Sequence, residues 1–477
     1  MIQPIKWKSK AEILSAEELG RIHQASLDVL QQTGIEIELP LQRETAFLDQ
    51  GLTYDRNLKR LFFPASVVEK ALKLIHTGYT LAARNPANDL LVDGNYGYLS
   101  LDGSGLEVED LETGQIRPST WQDLADATLV ADSLPQIAFL WPCISARGCP
   151  SATQPLHELY AMLKHSDKHV QAMTAVNPLN AKGTIEIAAC VAGGLDKLRQ
   201  RPIISNFQCS LSPLAYEQNS MEAAFLFAEA GIPTGFVCMP ISCSTAPATV
   251  AGAMVLSNAE VLAGIVMLQL VYPGAPTFYG ICTTAMELQR GGVTCGGPED
   301  VLFQAAGCQL AQYYGLPSNI GTLATGAKAS DWQAGMENAF SGLVSSLCHA
   351  DMMCGAGLLK GATSFSYQQL LHDCDIYDIM KRVAEGIEIS DESLAVEIIN
   401  RVGPNNHYLL EDHTLNHMRQ LWQPHSFERA GSAIQRSAAE SRAHLQEKIR
   451  HILANHRPQP LGEEKAILEI IASYEKK

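Results

Sequence analysis

From about residue 91 onward, short apolar runs alternate with helical segments, and this alternation constrains the fold more than any other property of the chain. A strand, a helix and another strand in succession favour parallel pairing, because a parallel neighbour is reached only through a crossover. Eight runs read as strands: Tyr96–Leu101, Ile137–Ile144, Val170–Ala175, Ile203–Cys209, Gly235–Ile241, Pro276–Cys282, Ser318–Leu323 and Met352–Leu358. Helix starts lie between them: Ser119-Thr120 before Trp121–Asp132, Pro155 before Leu156–His165, and Gly183 before Thr184–Leu195. Eight repeats predict closure into a (β/α)8 TIM barrel rather than an open sheet. The expected class is α/β, with an N-terminal α+β extension (1–90), the barrel (91–375) and C-terminal helices (376–477) packed on it.

In the extension, Ser15 and Glu18 predict a capping box for a helix running to Leu30. A short strand (Gly34–Leu39), a helix (Leu41–Gln50), a second strand (Arg60–Phe63) and a helix opened by Pro64 (Ala65–Ile75) follow. Beyond the barrel, Glu428 to Tyr474 holds long amphipathic helices such as Ala438–Asn455. These fit a solvated layer or a subunit contact, and a homo-oligomer is expected.

The charge balance, 35 basic against 51 acidic side chains, gives −16 and argues against a nucleic-acid groove or an anionic membrane surface. The longest apolar helix, Val261–Val271, reads as too short to span a bilayer. Twelve cysteines without a CxxC pair disfavour a thiolate zinc site and fit a reducing cytoplasm. The N-terminal MIQPIKWKSK has no apolar signal core.

In a barrel of this kind the C-terminal strand ends face the active site. Those ends offer Tyr98, Asp102, Gly103 and Ser104, then Ser145 and Arg147, Thr174, Phe207, Gln208 and Ser210. Further round come Pro240, Ser242, Tyr279, Thr283, Thr284, Ala324, Thr325, Lys328, Gly355-Ala356-Gly357 and Phe365. The mouth is small, hydroxylic and aromatic, with few acids or bases, and His349 falls at the opposite face. No GxSxG elbow, GxxxxGK phosphate loop or GxGxxG turn is present. Glu260 is expected in the first turn of a helix capped by Ser257-Asn258, near the catalytic face. Tyr98, Phe207, Tyr279 and Phe365 are candidates to surround a cation, since a quaternary ammonium has no hydrogen to donate and binds best to aromatic faces.

Several ordered segments resemble the trimethylamine methyltransferase family: Ser145-Ala146-Arg147, Leu211-Ser212-Pro213-Leu214, Asn258-Ala259-Glu260-Val261-Leu262, Ala311 to Ser318, and Gly321 to Gly335 with its Asp331-Trp332-Gln333-Ala334-Gly335 end. The resemblance runs from near residue 12 to about residue 410. It implies a (β/α)8 barrel that moves a methyl group from an amine to the cobalt of a corrinoid, cobalamin, on a separate protein, with no metal held by the barrel itself. In founding members a pyrrolysine stands in the Gly321–Gly335 segment, at the position that matches Ala324. The resemblance extends to members without pyrrolysine that act on glycine betaine, proline betaine, carnitine or γ-butyrobetaine. Glycine betaine is the substrate expected here, with Glu260 catalytic and with Arg147 and Lys328 as candidates for its carboxylate. A barrel that binds betaine without turning it over is the alternative of another class.

Overall fold

Tyr96–Leu101 (β1) pairs in parallel on both flanks, with Ile137–Leu140 (β2) and with Met352–Ala356 (β8), and that double pairing closes a barrel. Between them run His169–Gln171 (β3), Ile204–Cys209 (β4), Thr234–Cys238 (β5), Tyr279–Ile281 (β6) and Ser318–Gly321 (β7), each parallel to its neighbour. Eight helices follow in turn: Trp121–Ser133 (α1), Gln154–His165 (α2), Pro178–Ala192 (α3), Gln218–Glu229 (α4), Val250–Val271 (α5), Pro298–Tyr313 (α6), Trp332–Leu347 (α7) and Tyr367–Ala384 (α8). This computed structural model describes residues 1–103, 105–289, 291–427 and 436–476. The strand-end residue Ser104 and the predicted helical start at Glu428 lie outside the described residues.

The closed barrel is the architecture that eight strand–helix repeats predict. Several strands are shorter than their apolar runs suggest. β2 stops at Leu140 because Trp141-Pro142 follows, and proline has no N–H to continue the ladder. The larger correction concerns α5. Its cap is Thr249, whose hydroxyl accepts from the Gly252 N–H at 3.2 Å, eight residues before Ser257. Ser257, Asn258 and Glu260 are buried inside the helix rather than at its start. At 22 residues α5 is long and apolar enough to cross a membrane by composition, but it is a core helix buried in the protein.

The N-terminal segment anchors the end of the barrel opposite the strand C-termini. Ile5–Lys6 pairs antiparallel to the start of β1. The helix Ala16–Gln32, with the predicted Ser15–Glu18 capping box, packs on α5. The hairpin Tyr79–Leu81/Leu90–Val92 contributes Leu81, Leu90 and Val92 to the barrel's interior cluster, which includes Tyr98, Phe139, Trp141, Phe207, Phe278, Met352 and Cys354. One end of the barrel is thereby filled with apolar side chains, which leaves the opposite mouth for chemistry. At the C-terminus, Ala438–Asn455 lies against α1 and α8, and Glu464–Tyr474 against α2 and α3.

Candidate functional site

Strand parity decides which side chains reach the barrel axis, since alternate residues face opposite sides. Along β1 the inward face carries Tyr98, Ser100 and, just past its end, Asp102. Gly103 follows, and a Cβ there would sit 2.5 Å from the Met173 sulfur and 3.0 Å from Trp141 Cε3. The Asp102-Gly103 turn is therefore pressed onto Met173 and Trp141, and only glycine allows that approach. The Trp141 ring lies 4.9 Å from Phe207, tilted by 47°, and Phe207 meets Phe278 edge-on at 6.4 Å. The turn that carries the Asp102 carboxyl thus packs beside this aromatic cluster.

Burial pushes the Asp102 carboxyl up to about 6, opposed only by the hydrogen bond that its Oδ1 accepts from the Gly103 N–H at 2.8 Å. Among the described residues nothing bonds to its other oxygen. Its neighbours are thiols: burial, and then the charge of Asp102, raise Cys282 and Cys354. These cysteines remain thiols at neutral pH and offer no thiolate nucleophile. The buried indole N–H of Trp141 also has no partner among the described residues. A buried donor without a partner calls for water or a ligand.

Glu260 is the opposite kind of acid. Its Oε2 accepts from the Ser210 hydroxyl at 2.5 Å and the Ser212 hydroxyl at 2.8 Å, and its Oε1 accepts from the Leu214 N–H at 2.8 Å. Burial raises its pKa and these three donors pull it back. The carboxylate is fully buried and pins the loop after β4 onto α5.

The other sequence candidates are dispersed. Tyr98 lies toward the filled end, its hydroxyl donating to the Leu91 carbonyl of the plugging hairpin at 3.0 Å. Tyr279 points outward from β6 and donates to Asn258 Oδ1 of α5 at 2.9 Å, while Phe278 and Cys282 take the inward face. Phe365 is buried edge-on to Tyr367 in the layer outside the barrel. Phe207 does reach the axis. Arg147 and Lys328 are exposed on the loops after β2 and β7. His349 stacks on Trp7 at the filled end, with ring centroids 4.5 Å apart.

Ala324 sits partly exposed between buried Leu323 and Thr325. Its loop is tightly held. The Thr322 N–H donates to the Cys354 carbonyl at 2.7 Å, and the Leu323 N–H to Ser341 Oγ at 3.1 Å. Glu337 accepts from the Thr325 hydroxyl and from the Gly326 N–H. Leu323 takes a left-handed φ of 47° and lies buried, a strained turn of the sort that fixes a functional loop. At Gly355 (φ +143°) a Cβ would meet the Thr322 carbonyl oxygen at 1.7 Å, so this approach of the β7 loop requires glycine.

Sequence reasoning named Asp102 and Phe207 among the strand ends but missed Trp141, which reads as mid-strand if β2 runs to Ile144. The available signal is Pro142, which ends the strand and leaves a tryptophan at its tip. One group among the described residues has metal-ligand spacing: Asp375, Asp378 and His425, on and beside α8. Asp375 there already accepts from the His425 and Ser426 N–H groups and the Ser426 hydroxyl.

Comparison with known proteins places this geometry. The family described as trimethylamine methyltransferase (MTTB) matches residues 2–476. A trimethylamine methyltransferase, MttB, of Desulfitobacterium hafniense (strain DSM 10664 / DCB-2) is 34% identical over 452 residues, 94% of this chain and 90% of that protein. A glycine betaine methyltransferase of D. hafniense (strain Y51) is 30% identical, covering 95% of each chain. Among solved structures, the monomethylamine methyltransferase of Methanosarcina barkeri superposes with a TM-score of 0.57 at 11% identity, covering 94% of this chain and 90% of that one, a likeness of fold. A match over nearly the whole length, on a closed eight-stranded barrel, means that this chain belongs to the trimethylamine methyltransferase family.

Proposed function

We propose that this barrel transfers a methyl group from a quaternary amine, glycine betaine foremost, to Co(I) of a corrinoid carried by a separate protein. The observation that carries the reading is the combination of the Asp102-Gly103 turn pressed onto Trp141, itself packed on Phe207, with Ala324 where other family members hold pyrrolysine. A quaternary ammonium needs a diffuse negative environment, and a carboxylate beside aromatic faces supplies one. Protonated trimethylamine is a poor methyl donor without an activating group. A quaternary nitrogen already carries the charge that makes its leaving group a neutral tertiary amine.

Methyl transfer breaks the N–CH3 bond, with its electron pair retained by nitrogen, and forms a bond from the methyl carbon to cobalt. The corrinoid is the accepting substrate and supplies the nucleophile. The chain's own part is to hold nitrogen and methyl in line with the mouth and to keep water away. Beside the Asp102 carboxylate the described lining is thiol, thioether and aromatic, and the step asks no side chain to move a proton. Asp102 must hold the cation loosely, because the charge on nitrogen fades toward the transition state. At the rim, Trp332 is 80% exposed on the first turn of α7, and Leu288, Met239 and Leu211 are exposed on neighbouring loops. That apolar rim suits the docking of a carrier protein. The relative that acts on glycine betaine supports the substrate class, and Arg147 and Lys328 are the rim cations available to the substrate carboxylate.

The deciding experiment mixes the protein with a reduced corrinoid carrier and a panel of amines. Methyl-cobalt absorbance together with dimethylglycine from glycine betaine is the expected result. Methyl-cobalt with trimethylamine alone, or with no quaternary amine, would sink the reading.

A further inference from the structure

Asp375 and Asp378 stand three residues apart on α8, so both carboxylates project from one face of the helix. The returning chain lays His425 and Ser426 against that face. Asp375 accepts from the His425 N–H at 2.8 Å on one oxygen, and from the Ser426 N–H at 2.7 Å and the Ser426 hydroxyl on the other. The His425 Nε2 lies 3.9 Å from Asp378 Oδ2, and one ligand atom from each of the three residues falls within 4.8 Å of the other two. Gln136, in the turn between α1 and β2, donates its Nε2–H to Asp378 Oδ2 at 2.9 Å.

One atom beside this cluster is left over. Gln136 is only 6% exposed, and its Oε1 has no hydrogen-bond partner among the described residues. The amide is held against Asp378 by its other end, so this oxygen stands at the edge of the cluster. A buried acceptor without a donor calls for water or a cation. Asp375 also keeps acceptor capacity, because a carboxylate offers about four lone-pair sites and three are used. Lys381, further along α8, is committed to Glu385 at 2.7 Å. A cleft of about 470 Å³ opens onto Gln136 and His425, with Leu134, Cys374 and Lys448 also on its walls.

We infer that Asp375, Asp378, His425 and Gln136 form a site for one divalent cation, outside the barrel wall and beside the start of β2. Three oxygens and one imidazole make a set that suits a hard first-row ion such as Mn2+. Bonds of about 2.1 Å put cis ligands about 3 Å apart and trans ligands about 4.2 Å apart, and the 3.9 Å between His425 and Asp378 falls in that span. The His425 side chain is 61% exposed and free to close the remaining gap. The ion fastens three segments to one another: the α1–β2 turn, α8 and the chain that returns at His425. It takes no part in methyl transfer, so the site is tested apart from turnover.

The test is a Mn2+ titration of the full-length chain, stripped of metal by a chelator and followed by electron paramagnetic resonance, which separates free from bound ion. One Mn2+ per chain is expected, with nitrogen coupling from one imidazole in the pulsed spectrum. The thermal midpoint is expected to rise by about 2 °C or more at a hundredfold excess over Kd. Asp378→Asn is expected to weaken binding at least about tenfold. His425→Ala removes an exposed side chain, so its fold is expected to survive while the nitrogen coupling disappears. The control is His413→Ala/His417→Ala, at another close pair of imidazoles with rings 4.2 Å apart, and it is expected to bind as the native chain does. An unchanged metal-free thermal midpoint checks each variant, and if Asp378→Asn melts early, His425→Ala decides alone. No bound Mn2+, ions held so loosely that moderate salt releases them, nitrogen coupling that persists in His425→Ala, or loss of binding in the control would overturn the inference.

Discussion

Two carboxylates stand near the mouth of this barrel, Glu260 fully buried and Asp102 half-buried, and they are partnered in opposite ways. Glu260 is saturated: two hydroxyls and one amide donate to it, and together they tie the loop after β4 to α5. Asp102 accepts one backbone hydrogen bond, from Gly103, whose backbone is pressed onto Trp141 and Met173, and its charge is felt by the Cys282 and Cys354 thiols. A desolvated, sparsely partnered carboxylate in a cleft is a candidate for contact with a ligand. Saturation of hydrogen bonds is what distinguishes the two acids: Glu260 has three donors and Asp102 has one.

The sharpest way to break this comparison is Asp102→Asn. Loss of the ion contact to the ammonium costs about 2 kcal/mol, so kcat/KM for the quaternary amine is expected to fall roughly 30-fold. The same change is expected to raise stability near neutrality. The folded pKa of Asp102 lies above its unfolded value, so its contribution is present at low pH and is lost as pH rises through about 6. Steady-state kinetics and a melting curve read both effects. A less active and less stable variant would make Asp102 structural.

Glu260→Gln is the mirror experiment. Glutamine cannot accept all three donors without turning its NH2 toward one of them, so a loss of about 1–3 kcal/mol in stability is expected. Well below the melting midpoint, kcat/KM is expected to stay within about twofold, since no substrate contact is removed. Loss of turnover in a variant that melts normally would restore Glu260 as catalytic.

The pH profile sharpens the contrast without a mutation at Glu260. Protonation of Asp102 removes the negative charge facing the cation, so kcat/KM is expected to fall as pH drops below about 6. In Asp102→Asn that limb is expected to flatten. A limb unchanged by the substitution would belong to another group.

The barrel was legible because its signal repeats. Apolar runs separated by capped helices survive errors of two or three residues at each boundary. Individual inward side chains were not legible, because a strand buried on both faces is apolar at either parity. Phe278 and Tyr279 are adjacent and aromatic, and nothing local says that the first faces the axis and the second the helices. Glu260 was misplaced for a related reason. α5 is apolar all round, so no stripe marked its register, and Ser257-Asn258 read as a cap although both are buried within the helix. Asp102 needed no parity argument, since a lone acid at a strand end is visible in sequence. Its open oxygen emerges only when its neighbours are known.

Trp141→Phe probes the aromatic half of the same site, with the smallest effect. Phenylalanine keeps most of the floor beside Phe207 and removes an indole N–H that has no protein partner among the described residues. Stability is therefore expected to hold or rise slightly. Tryptophan is the best of the aromatic faces for a cation, and its loss is worth about 1 kcal/mol, or roughly fivefold. Because that contact exists in the ground state, the change is expected in KM for the amine, with kcat nearly constant. A fall in kcat at constant KM would instead put the indole in contact with the departing amine, and Asp102 would no longer be the only group in the mouth that responds to the charge on nitrogen.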